Sequence, residues 1–513
     1  MPTRREFLKS SAGAGMLLGC ATPAALGALA PHTRSEAQVT PDLVRFTPDV
    51  EPIVCSIEET PREKCFDMMV EQLRRGLPYR NFLAALFLAG IRNVSPHPPG
   101  FKFHCVLAMH SANQMSLDAV SEDRLLPLFW ALDQFKKSQA EDIQQGHFQM
   151  TELSGPLPAP EKAAAEFHAA MQAWDEERAS RAVAAFVRSR GADEIIETLW
   201  RYGARDFRSI GHKGIFVANS WRTLQTIGWR HAEPTMRSLV MALLDVGSSR
   251  RGSGSNGGNF DDNDNLSNVE RAKKALPGLP GTWTGPGRDD GATRDLLDAM
   301  RAGSVADACE QALGQLQSGK TQAQGAWDAV HLAAGELIMR QPAIVGIHAI
   351  TSTNALHYAF RTASNPETRL LLLLHGVAWM GRFREQMRSR GKLGSVKITE
   401  LPAETASDDE AKAAADVLEL VGKDTPAAAA RAFALAQKHP QPDTYSKMAR
   451  RLIFRKGTDA HHYKYAAAIF EDYGLVSPAW RPHMLATSVY YLRGAHDPDS
   501  KLMTRAVEAV RKV

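Results

Sequence analysis

The sequence predicts an all-α protein, a multi-helical array of repeated helical hairpins around a central histidine-lined site. Three observations predict it. Segments such as "EKCFDMMVEQLRRG", "QGAWDAVHLAAGELIMRQ" and "DTYSKMARRLIFRKG" repeat apolar residues at three- and four-residue spacing, the period of one helix face. Alternating strands bounded by hairpin turns are not evident. Finally, four blocks along the chain share one order of features: a histidine opening a helix, a turn, then an arginine one turn into the next helix.

At 513 residues the chain exceeds the length at which one hydrophobic core stops growing, so several cores or a repeated architecture are expected. Apolar residues make up 44% and charged residues 23%, too polar for a multi-span membrane protein, and no transmembrane segment is expected after the leader. Lys+Arg 61 against Asp+Glu 57 gives a net charge of +4, with two of those units in the first 37 residues. The rest is nearly neutral, which leaves no electrostatic footprint for nucleic acid.

The first element is a leader. Thr3-Arg4-Arg5-Glu6-Phe7-Leu8-Lys9 precedes a weakly apolar Gly/Ala-rich stretch, the twin-arginine export pattern over residues 1–37. It implies the twin-arginine (Tat) export machinery as a partner and a periplasmic or otherwise exported location. That pathway carries folded proteins, many loaded with a cofactor beforehand. Ala28-Leu29-Ala30 and Ser35-Glu36-Ala37 are alternative cleavage sites, and Leu17-Leu18-Gly19-Cys20 reads as a lipobox that would leave a lipid anchor at Cys20. Beyond it lie Cys55, Cys65, Cys105 and Cys309; an oxidising compartment permits a Cys55–Cys65 pair, and no zinc spacing is present.

Residues 38–513 are expected to form one helical domain of four blocks, at about 60–145, 190–247, 320–392 and 440–495. The long Gly/Asn/Pro-rich stretch 247–291 between blocks two and three reads as a loop with one short helix allowed within it. Two motifs inside it are decoys. Gly252-Ser253-Gly254-Ser255-Asn256-Gly257 matches GxGxxG but follows no strand, and "DDNDN" at 261–265 lacks the glycine and terminal glutamate of a calcium loop. A second weak region, 395–412, reads as a linker.

The blocks open with His104, His212, His348 and His461. Some 20 to 25 residues on come Ser121/Arg124, Pro234/Arg237, Pro366/Arg369 and Pro478/Arg481. Proline at that place suits the first turn of a helix. On a helix, i, i+4 and i+7 share a face, which gives His104-Ala108-Ser111, His212-Phe216-Asn219, His348-Ser352-Ala355 and His461-Tyr465-Ala468. Small or polar residues beside each histidine leave room for a ligand. If the four helices converge, their imidazoles can surround one metal ion, iron first and copper second.

That gives His104, His212, His348 and His461 as candidate metal ligands, and Asn219, Ser352, Tyr465 and Arg369 as candidate substrate contacts. Asp328 and His331, three apart on one helix, are the candidate catalytic acid/base pair; an exposed helix flank is the competing reading. The four arginines either bind an anionic substrate or cap neighbouring helices.

With the blocks aligned, "GHKGIFVANSWRTL", "GIHAITSTNALHYAF" and "GTDAHHYKYAAAIFEDYG" resemble the questin oxidase-like family over roughly residues 60 to 500. The resemblance implies an all-helical fold, oxidation of polyketide anthraquinones by a Baeyer–Villiger-like ring cleavage, and reduced nicotinamide (NADPH) as cofactor. It carries over to His212, His348 and His461, and less directly to His104. Two features depart from the family: the export leader, since free NADPH is not expected outside the cytoplasm, and the long Gly/Asn loop. The expectation is therefore an exported oxidoreductase, an oxidase or monooxygenase of a small aromatic or polyketide-like substrate. The competing expectation is a non-catalytic helical-repeat binding protein whose histidines fill its core.

Overall fold

Residues at the helix ends explain where the helices begin. Asn365 accepts from the backbone N–H groups of Glu367 and Thr368 just before Pro366, and Ser304 and Asp307 form a reciprocal capping box. In the computed structural model the described residues are 43–246, 260–402 and 404–513. The leader, the lipobox and the GxGxxG match lie outside them.

Two units are distinguished. The smaller holds residues 43–45 and Met150–Glu152, joined by an antiparallel bridge between Leu43 and Thr151 and by the Val44 N–H donating to the Met150 carbonyl at 3.0 Å. In the larger, Phe46–Gln149 with Leu153–Val513, every regular element among the described residues is a helix.

In chain order its helices are α1 (Glu51–Glu59), α2 (Cys65–Arg74), α3 (Tyr79–Asn93), the short α4 (His104–Leu107), α5 (Met109–Leu117) and α6 (Leu126–Gln145). There follow α7 (Ala163–Ala173), α8 (Glu176–Ser189), α9 (Ala192–Ala204), α10 (His212–Ile227), α11 (Ala232–Leu243) and α12 (Phe260–Ala275). Next come α13 (Asp290–Ala302), α14 (Val305–Gln317), α15 (Ala323–Arg340), α16 (Ile344–Thr362) and α17 (Pro366–Ser389). The last are α18 (Glu410–Leu420), α19 (Thr425–Lys438), α20 (Asp443–Lys456), α21 (Ala460–Leu475), α22 (Arg481–Ser488) and α23 (Lys501–Val510).

Four of these close a ring: α5 packs on α10, α10 on α16, α16 on α21, and α21 back on α5. Each is followed by a partner that packs against it, α6, α11, α17 and α22 respectively. His212 and His461 lie in the first turns of α10 and α21, His348 is the fifth residue of α16, and His104 opens α4, five residues before α5 begins. The four imidazoles meet, which brings the N-terminal ends of α4, α10, α16 and α21 together. The core needs no amphipathic stripe in α16: Val345 to His357 are all buried. Leu370 to Leu374 of α17 are buried as well, each stabilising the array by about 2 kcal/mol.

Two arginines of the second helices serve the hairpins. The Arg369 guanidinium donates to the Ala363 carbonyl at 2.6 Å, and Arg481 donates to Gly474 at 3.4 Å, so each satisfies a carbonyl at the end of the preceding helix.

One expectation is corrected. The stretch 247–291 holds a sixteen-residue helix, α12, rather than a loop with one short helix. Its aspartates fall in the first two turns, where negative charge favours the helix dipole, and Glu270 lies further along. Asp264 grips Arg382 through two bonds of 2.6 and 2.8 Å, and Asn268, Ala272 and Ala275 are buried. Tertiary contacts thus override a composition that reads as coil. Cys55 and Cys65 are free thiols: Cys55 donates to Glu51 and Cys65 to the Arg62 carbonyl. No described helix is long and apolar enough to cross a membrane.

Candidate metal centre

Each of the three innermost histidines is fixed from behind. The Nδ1 of His104 lies 2.7 Å from the Phe101 carbonyl, that of His212 2.5 Å from Ser209, and that of His348 2.7 Å from Ile344. A carbonyl only accepts, so all three Nδ1 atoms carry the proton. In the neutral ring every Nε2 is then a bare lone pair, and this is the tautomer that a metal ligand needs.

Those lone pairs converge. Nε2 of His212 stands 3.2 Å from Nε2 of His104 and 2.9 Å from Nε2 of His348, and the ligand atoms of all three lie within 4.8 Å of one another. The rings are buried, with His348 only 1% exposed. Burial first, and the ammonium of Lys464 next, holds His104 and His212 well below the usual imidazole range. His348 is held down by burial, then by His212 and Lys464. Neutral imidazoles with facing lone pairs repel, and no proton lies between them to bond. A cation in their midst removes the conflict. This donor set fits a metal ion.

His461 joins the cluster on different terms. Its ring centroid is 4.6 Å from that of His104 and 5.3 Å from that of His348. Its Nδ1 faces the Asp459 carboxylate at 3.2 Å rather than a carbonyl, and its Nε2 is buried without a hydrogen-bond partner. Asp459 is also the N-cap of α21, accepting from the His461 N–H at 2.7 Å. That carboxylate is held well below its ordinary range, burial opposing and the bonds to His461 dominating.

The backbone that supplies two of the carbonyls is unusual. Phe101 has φ +48° and Ser209 φ +57°, both left-handed, and Ile210 (+49°) and Gly211 (+81°) continue the second turn. A β-branched residue rarely adopts this region. At Gly211 the reason for glycine is also steric, since a Cβ there would stand 2.7 Å from Cβ of Ser352.

A cavity of about 840 Å³ reaches all four histidines. Its lining also includes the apolar Phe207, Ile210 and Ile344 and the polar Gln134, Lys137 and Arg390. The volume suits one small-molecule ligand.

The remaining sequence-predicted site residues are placed elsewhere. Ser352 does not open space beside His348: the Gly211 turn fills it, and the hydroxyl donates to the His348 carbonyl at 2.6 Å. Asn219 donates to the Leu107 carbonyl and borders a separate small void with His110 and Lys464. Tyr465 is buried, its hydroxyl donating to Thr487, and Arg369 is the hairpin cap described above. None of these four lines the cavity.

Asp328 and His331 are not a pair, nor an exposed flank, being 0% and 1% exposed. Asp328 accepts from the Ser477 N–H and from Gln324, both at 2.9 Å. His331 instead meets His357 at 2.8 Å, with Asp472 at 3.6 Å on its other nitrogen. Three apart on one helix, the two side chains are claimed by different neighbours.

Sequence reasoning missed Asp459 and Lys464. Asp459 was visible as a capping residue ahead of "AHHYKY", whereas nothing in the sequence marks Lys464 as buried. Its ammonium nitrogen has no hydrogen-bond partner, and burial pushes it down to about 7. In comparisons with protein-family models, curated proteins and solved structures, nothing matches the chain.

Proposed function

We propose that His104, His212 and His348 hold a redox metal, iron first and copper second, with His461 as the fourth donor, in an exported oxidoreductase. The observation that carries this reading is the set of three Nε2 atoms within 4.8 Å, each with its Nδ1 proton committed to a backbone carbonyl. Imidazole nitrogen suits both ions. Such an ion supplies the electron-transfer capacity needed for dioxygen to oxidise an organic molecule.

The chain's own residues do the rest. Phe207, Ile210 and Ile344 give the cavity an apolar surface that displaces water from a bound substrate. The carbonyls of Phe101, Ser209 and Ile344 orient the rings, and Asp459 orients His461. The substrate in this reading is a small aromatic or polyketide-like compound, the class implied by the resemblance to questin oxidase-like proteins. NADPH belongs to that resemblance alone and fits poorly with export. The twin-arginine leader supports loading before export to the periplasm, with Cys20 as a lipid anchor if the lipobox is processed.

The test is elemental analysis and the visible spectrum of protein purified after native export. About one iron or copper per chain is expected, lost in His348→Ala while the helical circular dichroism persists. Metal-free protein whose stability is indifferent to His348→Ala would instead return the histidines to a core role in a non-catalytic helical-repeat protein.

A further inference from the structure

Part of the cavity lining is a strap, residues 95–103, that is pinned from both ends. One oxygen of the buried Asp142 carboxylate accepts from the Ser95 N–H at 2.9 Å and from the Lys102 ammonium at 2.7 Å. Between those anchors His97 meets Glu176 at 2.8 Å. The strap touches two of the candidate ligands. The Phe101 carbonyl orients His104, and Gly100 lies against the imidazole of His212.

Gly100 is buried, and among the described residues that line the cavity it alone lacks a side chain. Its backbone does not ask for glycine, since φ is −151°, outside the left-handed region. What the glycine leaves is space. A Cβ at this position would stand 3.4 Å from both Nε2 and Cε1 of His212 and 3.8 Å from Cδ2. Nε2 is the atom that carries the lone pair, so the space lies beside the metal-facing edge of the ring. A methyl there would sit at ordinary contact distance and fill it. A β-branched side chain would reach further, because Asp142 and Glu176 hold the strap where it is.

We infer that Gly100 is a specificity-determining residue: the space of its missing side chain admits a dioxygen-sized ligand to the Nε2 side of His212. This rests on the reading that the histidines hold a metal ion, for which that molecule is the exogenous ligand. Metal sites that do chemistry keep a position open for such a ligand. An aromatic ring is wider than the slot and is left to the rest of the cavity.

The experiment titrates azide, a linear probe of similar width, into the metal-loaded full chain and follows the visible spectrum, with metal content measured on the same samples. The wild type is expected to give a saturable change. Gly100→Ala should weaken azide at least about tenfold and Gly100→Val should abolish its binding, each retaining about one ion per chain. Circular dichroism checks the fold, and Gly100→Ala alone decides the matter if Gly100→Val does not fold. Azide bound by the variants as tightly as by the wild type overturns the inference and leaves the metal reading intact. Loss of the ion from Gly100→Ala also overturns it, because the side chain would then act on the ring and not on the space beside it. A wild type without stoichiometric metal removes the premise, and both readings fall together.

Discussion

The Nε2 atoms of His212 and His348 face each other at 2.9 Å, and both rings have already given their Nδ1 protons to backbone carbonyls. No hydrogen bond can form across that gap between neutral rings. The contact is repulsive when empty and attractive around a cation, so its sign depends on what lies between.

This gives a prediction about stability rather than activity. In metal-stripped protein, His348→Leu should cost little, because it removes a lone-pair conflict and keeps the volume filled. In metal-loaded protein the same change should be strongly destabilising. A site saturated a thousandfold above its Kd stabilises by about 4 kcal/mol. Melting curves with and without chelator, for both chains, measure it: the wild type should show a wide gap and the variant almost none. A wide gap in the variant would assign the metal elsewhere.

The Gly211 turn yields a second prediction. With φ +81° and a Cβ position 2.7 Å from Cβ of Ser352, Gly211→Ala meets both backbone strain and a steric clash. It should cost roughly 2 kcal/mol or more. Ser352→Gly removes the clash but not the strain, so a double-mutant cycle should give a favourable coupling of about 1 kcal/mol. Urea midpoints of the four chains test this, and additive losses would show that the loop simply moves away.

Much of this was legible in the sequence, for definable reasons. The three- and four-residue apolar period announces helices, and a histidine recurring at the head of four of them announces convergence. The i+4 and i+7 positions were less informative, because Ser352 and Asn219 bond to backbone carbonyls rather than line the cavity. Spacing says which side of a helix a residue occupies but not what the neighbouring element brings there. The Asp328–His331 spacing was genuine, yet Ser477 and His357 claimed the two groups separately. Helix α12 was hidden because Asp264 and Asn265 gain their partners, Arg382 and His375, from α17 rather than from their own segment.

Buried histidines outside the cluster set an acid limit. Burial holds His231 and His375 down to about 4 and His331 to about 3, against an unfolded value of 6.5. Below pH 6.5 the unfolded chain takes up protons that the folded chain refuses, so stability falls as pH falls. Each group contributes about 1.4 kcal/mol per pH unit, or about 4 kcal/mol for the three together. Urea unfolding of metal-free protein between pH 7 and pH 5 should show a steep loss, reduced in His375→Gln by that ring's own share of about 2 kcal/mol. A flat profile would mean that these rings are already protonated in the fold.

Lys464 works at the other end of the scale. Its amine is 2% exposed, has no hydrogen-bond partner, and is pushed down to about 7 from 10.5. Between those values the unfolded chain holds a proton that the folded chain lacks, so stability rises with pH across the window from 7 to 10.5 and is constant below it. The penalty at neutral pH is on the order of 4 kcal/mol. Replacing the lysine by an apolar side chain of similar length removes it: Lys464→Met should raise the urea midpoint at pH 7 and erase the alkaline slope. The variant also removes the positive charge nearest the four imidazoles. Metal affinity measured by competition should therefore be unchanged or tighter if that charge only repels the ion. A clear loss of affinity would instead show that the amine itself helps to hold it.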